Sequence, residues 1–351
     1  MDKTSMPMKT MTNSRQNKII VISVVIFVLL ALLVVFLDWN QIHQIIGKAH
    51  WQLTLVALLF TIISYFCLSF GYILVNRVFG IGIGWWELFE VGIVSSALNN
   101  ILGFAGAAGH SLRVQLVKGK EIDAGEVLAA SIFHSYLNNV MLLLMLALGL
   151  LTLLFSHIVY GGSAVGLGLI ATILVVFIIV TTAIIFIPWF KSRVLYFTKT
   201  VWHFFTHRDI TQFLNDLDYG LTHGLITLKG RPWELALLLV TMAGVWGFQA
   251  VALWFCFAAL GNAPGLGVLL SGFGIGISAG NLSFIPGGLG VQEASMAGIY
   301  ALLGMSFAQA VLVVILIRVI YDFIPFFISL PFYIGLTRRK VVINPNLSEK
   351  S

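Results

Sequence analysis

The stretch Ser278–Glu293, SAGNLSFIPGGLGVQE, lies between two apolar runs and interrupts them. Proline removes a backbone donor and glycine accepts left-handed dihedral angles, so a helix is predicted to stop at Pro286-Gly287-Gly288. Glu293 then opens a second apolar run. A broken helix at membrane depth is tolerated only where it is buried in protein or lines a wet cavity. This stretch is therefore the first candidate for a substrate path.

The whole chain is strongly apolar. Of its 351 residues, 59% are hydrophobic and 10% are charged, and the mean hydropathy is +0.99. Soluble domains carry about 25% charged residues. The composition therefore predicts an all-α polytopic membrane protein. The net charge of +6 comes from clusters beside apolar segments, which favours anionic lipid headgroups over nucleic acid as the partner.

Six apolar runs are long enough for transmembrane helices, which need about 20 residues each. They are 19–37, 53–75, 127–155, 164–187, 234–260 and 308–336. Two further regions, 88–118 and 267–305, are apolar but broken by glycine-rich stretches. Each is predicted to form a re-entrant hairpin of two half-helices, with two short spans as the alternative for the second. The prediction is about eight membrane segments in one domain, 19–336.

Basic residues lie mostly on one side of the predicted spans. They concentrate in 1–18, 188–233 and 337–351. By the positive-inside rule, both terminal tails are predicted to be cytoplasmic in a multi-pass cell-membrane protein. The loops 156–163 and 261–266 carry no Lys or Arg and fit the outer face. The 188–233 connection is too polar to span and too aromatic for a free loop, which predicts amphipathic helices on the membrane surface.

The two broken regions resemble each other. Ser96–Asn99 (SALN) resembles Ser278–Asn281 (SAGN), and each is followed by a glycine-rich stretch, Phe104–Gly109 or Phe284–Gly290. The first hairpin would enter from the cytoplasm and the second from outside. This is the inverted repeat of secondary transporters, whose sites lie near the midplane at discontinuous helices.

Charged residues near the second break are candidates for substrate binding. Arg318 and Asp322 lie four residues apart, on one face of the last apolar run. They would either form a structural ion pair or contact a headgroup, with Arg318 toward phosphate and Asp322 toward an amine or hydroxyl. Glu293 would either stabilise a helix N-terminus or join this site.

Polar residues near both breaks complete the candidate set. They are Asn99, His110, Arg113, His134, Asn138 and Asn281. Arg113 falls near the position that Glu293 occupies in the second repeat, so an ion pair between the two hairpins is a hypothesis; the alternative makes Arg113 a cytoplasmic anchor. His134 would otherwise be a hydrogen-bonded packing residue, and the asparagines would otherwise cap half-helices.

Enzyme motifs are mostly absent. The glycine-rich stretches have no βαβ context, so they are not dinucleotide fingerprints, and no metal-spaced Cys/His set occurs. No catalytic residue, metal site or cofactor is therefore predicted.

The PGGLGVQE core at Pro286–Glu293, the Arg318/Asp322 helix and the region Gly106–Lys120 together resemble the lysylphosphatidylglycerol synthase transmembrane family. This family is the membrane half of the bacterial multiple peptide resistance factor, and the similarity covers most of 19–336. The resemblance implies a flippase-like fold with two re-entrant hairpins, which moves aminoacylated or other polar-headed phospholipids between leaflets.

The resemblance also implies which residues form the site, because they match the family's motif. The hairpin motif would be Pro286, Gly287, Gly288 and Gly290, and the lipid path would be surrounded by these residues together with Arg113, Glu293, Arg318 and Asp322. Family members often carry an acid or Arg where His134 and Asn138 stand. The first hairpin here also lacks the proline and acid common in the family, so the headgroup stays open.

Three functions are weighed on this basis. The first is a lipid flippase. The second is the membrane subunit of a phosphatidylglycerol lysyltransferase whose soluble synthase domain is a separate chain. The third is a structural or regulatory membrane protein. The sequence ends at residue 351 without an acyltransferase-like domain, so the chain alone is not expected to transfer an amino acid. A second copy of the chain or a soluble synthase would be its protein partner.

Overall fold

The computed structural model describes residues 39–103, 107–117, 124–155, 162–206, 210–283 and 285–343. Its helices are α1 (Trp39–Gly47), α2 (Gln52–Val78), α3 (Trp85–Leu102), α4 (Ala107–Val117), α5 (Ala124–Phe155), α6 (Gly162–Phe186), α7 (Pro188–Thr206), α8 (Thr211–Lys229), α9 (Pro232–Ala259), α10 (Leu266–Leu282), α11 (Val291–Leu302), α12 (Phe307–Arg318) and α13 (Ile324–Ile343). A 3-10 turn, Pro286–Gly288, separates α10 from α11, and a π turn, Val319–Phe323, joins α12 to α13. The predicted all-α fold is confirmed, with no strand in the described ranges.

Helices long and apolar enough to cross a membrane match most of the predicted spans. They are α2, α5, α9 and the continuous segment Phe307–Arg339. Thr172–Phe186 and Pro188–Trp202 pass the same test as a pair, bent by 87°. The predicted span 19–37 and the tail 1–18 lie outside the described residues. The described part thus supplies four to five spans, and the total of six spans plus two re-entrant segments stays a prediction.

The 188–233 connection forms two helices with different surroundings. On α7 the aromatic side chains Tyr196, Phe197 and Phe204 are exposed, and the 87° bend would turn this helix along the surface of a membrane that α6 crosses. In contrast, α8 buries Leu217 and Leu221 where it packs on α5. Both helices also expose apolar side chains, such as Tyr219 and Ile226 on α8, and the placement of 188–233 on a membrane surface stays a prediction.

The second broken region is a hairpin of two antiparallel half-helices. Tyr300 Oη of α11 donates a hydrogen bond to the Leu269 carbonyl of α10 at 2.9 Å. Gly276 and Gly280 let α11 approach closely, because a Cβ on either would lie 2.7 Å or 2.9 Å from a side chain of that helix. At 1.5 Å per residue, α10 is about 26 Å long and α11 about 18 Å, less than the ~30 Å of a bilayer core. Both half-helices are thus shorter than that core, and the re-entrant form of this hairpin stays a prediction.

The first broken region has the same form. Asn99 Oδ1 of α3 accepts a hydrogen bond from the Gly109 amide of α4 at 3.3 Å. Arg113 Nε, one turn further along α4, donates to Ser95 Oγ, one turn back along α3, at 2.9 Å. Contacts that pair later residues of α4 with earlier residues of α3 define an antiparallel hairpin. The glycine-rich tip between the two helices includes 104–106, which lies outside the described residues.

The two hairpins start from opposite ends of the long helix Phe307–Arg339. Near its beginning, Gln309 Nε2 donates to the Leu260 carbonyl, just before the second hairpin, at 3.2 Å. Near its end, Arg339 Nη1 donates to Glu90 Oε2 at the start of the first hairpin, at 2.9 Å. Since each hairpin runs from its own end of this helix toward the other, the two tips approach each other between the ends.

Candidate functional site

The tips of the two hairpins are in direct contact. The Gly287 amide donates to the Gly103 carbonyl at 3.0 Å. Gly287 has φ +60°, and a Cβ there would lie 2.6 Å from the Ile101 carbonyl oxygen. Only glycine fits, because a side chain would meet both an unfavourable dihedral angle and the backbone of α3. The predicted break at Pro286–Gly288 is therefore the point where the two hairpins meet.

Arg318 fixes this turn from the side of the last long helix. Its Nη1 donates to Asp322 Oδ2 and its Nη2 to the Gly287 carbonyl, each at 2.6 Å, and its Nε donates to Glu293 Oε1. Arg318 and Asp322 are 7% and 6% exposed. Each nitrogen of the guanidinium has a protein partner, so this arginine joins the turn, α11 and the π turn and presents no free nitrogen to a ligand.

Glu293 performs the helix-start role and pairs with Arg318 as well. It is the third residue of α11, and its Oε2 accepts a hydrogen bond from the Gly290 amide at 2.7 Å. The hypothesis that Glu293 pairs with Arg113 is wrong. The half-helix α11 turns Glu293 toward the last long helix, whereas α4 turns Arg113 toward α2 and α3.

A chain of hydrogen bonds links the first hairpin, through α2, to the π turn of the last long helix. Asn100 Nδ2 donates to Tyr65 Oη at 3.0 Å, and Tyr65 Oη donates to the Tyr321 carbonyl in the π turn, also at 3.0 Å. Sequence reasoning missed Tyr65 and Tyr321. The sequence of α2 contained a signal for Tyr65. Its polar residues are spaced by seven and four, which places Tyr65, Tyr72 and Asn76 on one helix face.

A polar cavity of about 80 Å³ lies inside the first hairpin, between α2, α3, α4 and α5. It is several times larger than the ~15 Å³ that one water needs. Its polar lining residues are Ser95, Ser96, Asn99, Asn100, His110, Arg113, His134, Ser135 and Asn138. Five of the candidate residues predicted from sequence, from three separate segments, thus share one cavity.

Arg113 is the cation of this cavity and is held on two sides. It is 5% exposed, Ser95 Oγ accepts from its Nε, and its guanidinium carbon lies 4.3 Å from the centre of the Tyr72 ring. That distance is a cation–π contact. Nη1 is buried and finds no hydrogen-bond acceptor in the described ranges. The guanidinium is therefore held in place while its Nη1 group has no partner in the described ranges.

The other cavity residues divide into anchored and open groups. His134 Nε2 donates to the Leu68 carbonyl at 3.1 Å, and Asn99 caps α4 through Gly109. His110 Nδ1 and Asn138 Oδ1 are buried and lack partners in the part of the chain that is described. Buried polar atoms without partners are uncommon in folded proteins and call for an explanation, such as a ligand or water.

Asn281 belongs to neither group. It is exposed near the end of α10. The predicted candidates therefore form two clusters: Arg318, Glu293 and Asp322 at the PGG turn, and the cavity residues around Arg113.

The family model for the lysylphosphatidylglycerol synthase TM region matches residues 20–329. The match includes both hairpins, the PGG turn and every residue of the cavity. The chain belongs to the lysylphosphatidylglycerol synthase transmembrane-region family. Membership in this family makes it a membrane protein of lipid modification or transport. A search of curated proteins found no match.

Proposed function

We propose that this lysylphosphatidylglycerol synthase transmembrane-region protein is a flippase that moves a polar-headed phospholipid between leaflets. The observation that carries the proposal is the cavity around Arg113, a polar space with a buried guanidinium, beside the contact of two broken helices. Charges at membrane depth are costly and normally pair or face a cavity. A lipid headgroup would supply the acceptor that Arg113 Nη1 lacks.

The arrangement of the hairpins supports a path from both sides. They start from opposite ends of the helix Phe307–Arg339. Each hairpin packs on a different long helix: α3 of the first hairpin contacts α13, and α10 of the second hairpin contacts α5. We interpret this as an inverted repeat, in which sites lie near the midplane. The basic flanks would place both termini on the cytoplasmic side of the cell membrane.

We assign different roles to the two clusters. Arg113 would contact the phosphate, with His110, His134 and Asn138 hydrogen-bonding the rest of the headgroup. Arg318, Glu293 and Asp322 would act as positioning residues that hold the PGG turn against α3. The acyl chains would stay in the surrounding lipid.

The test is a leaflet assay with the full chain in liposomes. Fluorescent phosphatidylglycerol and phosphatidylethanolamine are reconstituted with the protein, and the label in the outer leaflet is bleached chemically. We expect faster loss of protected label than in protein-free liposomes for at least one lipid, and at least about tenfold slowing in Arg113→Gln, which corresponds to about 1.4 kcal/mol.

The control is Arg231→Gln, the same substitution at an exposed arginine that pairs with Glu234. It should transport as the unmodified chain does. No acceleration over empty liposomes for any lipid would overturn the flippase proposal.

The family description favours a second candidate, a membrane subunit of a lipid aminoacyltransferase with its soluble part on another chain. Purified protein would be incubated with lysyl-tRNA and phosphatidylglycerol, alone and with a soluble synthase domain. Stimulation of the soluble domain by the membrane chain, without transport in liposomes, would favour this candidate over the flippase.

A further inference from the structure

We infer that the Arg113 cavity selects a phosphate group that has no ammonium group beside it, so that the lipid it accepts is anionic and not aminoacylated. The inference rests on the proposed function for its biological meaning, but the binding it asserts is measured without transport. It concerns the charge of the headgroup, which the family membership leaves open.

The first observation is the absence of an acid. No aspartate or glutamate lines the cavity within the described ranges. A buried ammonium carries a charge that is costly to remove from water, so proteins normally pair it with a carboxylate. A cavity that binds an aminoacyl headgroup would therefore be expected to hold at least one carboxylate.

The second observation is that carboxylates on the neighbouring helices are already used. Glu293 and Asp322 both bind Arg318, and Glu90 on α3 binds Arg339. Moving Glu293 or Asp322 into the cavity would leave Arg318 short of a carboxylate in a buried setting. These three acids are therefore engaged elsewhere, and none of them lines the cavity.

The third observation is the set of polar groups that are present. Arg113 Nη1 and His110 Nδ1 are buried and unpartnered in the described structure. Guanidinium groups match the geometry of phosphate oxygens and are weakly hydrated, which suits a buried anion site. Asn138 Oδ1, also buried and unpartnered, offers an acceptor for a headgroup hydroxyl. Together they suit a phosphate that carries a hydroxylated substituent.

The positive charge of Arg113 would repel an ammonium group in the same cavity. An ammonium on the same headgroup would lie within several ångströms of the Arg113 guanidinium, which is itself buried. At an effective dielectric constant near 20, such a repulsion is large enough for a preference of roughly tenfold or more. Discrimination by an unfavourable charge is a general route to specificity.

The experiment measures binding of water-soluble headgroups to the purified full chain in a maltoside detergent. The probes are glycerophosphoglycerol, glycerophosphoethanolamine and inorganic phosphate, titrated by calorimetry and by the shift in melting temperature. We expect glycerophosphoglycerol to bind at least about tenfold more tightly than glycerophosphoethanolamine. Arg113→Gln should remove this binding, and Arg113→Lys should weaken it, because the forked donor is lost. Arg231→Gln should leave it unchanged.

A gain-of-function variant keeps the test informative if Arg113 variants fold poorly. Asn138→Asp introduces a carboxylate of nearly the same size into the cavity. It should weaken glycerophosphoglycerol binding and reduce or reverse the preference against glycerophosphoethanolamine. An unchanged preference in this variant would overturn the inference.

The remaining outcomes are also decisive. Equal or tighter binding of glycerophosphoethanolamine by the unmodified chain would overturn the selectivity. Binding of inorganic phosphate without glycerophosphoglycerol would assign the cavity to free phosphate and overturn the lipid source. Selective binding without transport in liposomes would support the inference and overturn the flippase, whereas transport without selectivity would do the reverse.

Discussion

Arg318, which contacts the tip of the second hairpin, and Arg113, which lies within the first, are both buried, yet their hydrogen-bond partners differ greatly. Arg318 is enclosed by two carboxylates and a backbone carbonyl, so each of its nitrogens has a protein partner. Arg113 has a serine hydroxyl and a tyrosine ring, and its Nη1 has no partner in the described residues. The comparison teaches that a buried arginine with a protein partner on each nitrogen and two carboxylates beside it holds the fold, whereas one with an unpartnered nitrogen at a cavity is available to a ligand.

The same substitution at the two arginines should separate stability from transport, and this is the largest effect that we expect. Arg318→Gln leaves the buried Asp322 and the partly buried Glu293 without their cation. Breaking a buried ion pair in this way costs about 3–5 kcal/mol. Arg113→Gln removes a charge that has no carboxylate partner in the described residues, so stability should change by less than about 1 kcal/mol.

Thermal unfolding of both variants in detergent measures this difference, with the Arg231→Gln protein as the reference for an exposed site. A double variant, Arg318→Gln with Asp322→Asn, should recover part of the loss, because fewer unpaired charges remain. Equal destabilisation by Arg113→Gln and Arg318→Gln would contradict the division of roles.

Replacing Gly287 with alanine should loosen the contact between the hairpins. Its φ of +60° and the Ile101 carbonyl 2.6 Å from a new Cβ both oppose any side chain. We expect a loss of about 2 kcal/mol or more. The matched control is Gly298→Ala on α11, where a Cβ meets nothing within 4 Å. There the helix should gain about 0.5–1 kcal/mol.

Melting temperatures of these two glycine variants should therefore move in opposite directions. A Gly287→Ala protein as stable as the unmodified chain would show that the tip contact is not needed to hold the hairpins together.

A smaller effect is expected at Tyr65, whose hydrogen bonds connect the cavity residue Asn100 with the π turn. Tyr65→Phe removes the hydroxyl that joins Asn100 to the Tyr321 carbonyl. The loss should be about 1–2 kcal/mol, because a donor and an acceptor are both left without this partner. Tyr219→Phe, at a tyrosine that is 62% exposed, is the control and should change little. A double-mutant cycle of Tyr65→Phe and Arg318→Gln would measure whether the two sites are energetically coupled. Additive effects would show that the hydrogen bonds of Tyr65 are independent of the ion pairs of Arg318.

The positions of the helix breaks were predictable from sequence because proline and glycine act locally. Pro286 and Gly287 stop α10 where the sequence predicts it, and Glu293 opens α11 from its third position. The short lengths of α10 and α11 also follow from the break, since it divides the apolar region 267–305 into two pieces.

The partners of the charged residues were not predictable in the same way. A soluble helix shows its buried face by polar and apolar alternation, but these helices are apolar nearly all round, so their rotation is not visible in the sequence. The pairing of Glu293 with Arg318, and not with Arg113, depends on that rotation. The burial of the leucine face of α8 on α5 depends on long-range packing of the same kind.

Only part of the grouping of the cavity residues could be predicted from the sequence. His110 and Arg113 lie three apart on α4, and His134 and Asn138 lie four apart on α5, so each pair could be placed on one helix face. That the two faces meet over Ser95 and Tyr72 is a property of the tertiary fold. Ser95 and Ser96 are adjacent polar residues in an apolar run, and this signal could have identified α3 as a third helix that lines the cavity.

The most direct measurement is photo-crosslinking from the headgroup of a phosphatidylglycerol carrying a diazirine, with the full chain in liposomes and crosslinked peptides identified by mass spectrometry. We predict crosslinks on α3 and α4 around Ser96 and His110, on α5 around His134, and their loss in Arg113→Gln or with excess unlabelled phosphatidylglycerol. Crosslinks confined to lipid-exposed positions such as Ile173 on α6, unchanged in Arg113→Gln, would contradict a headgroup site inside the first hairpin.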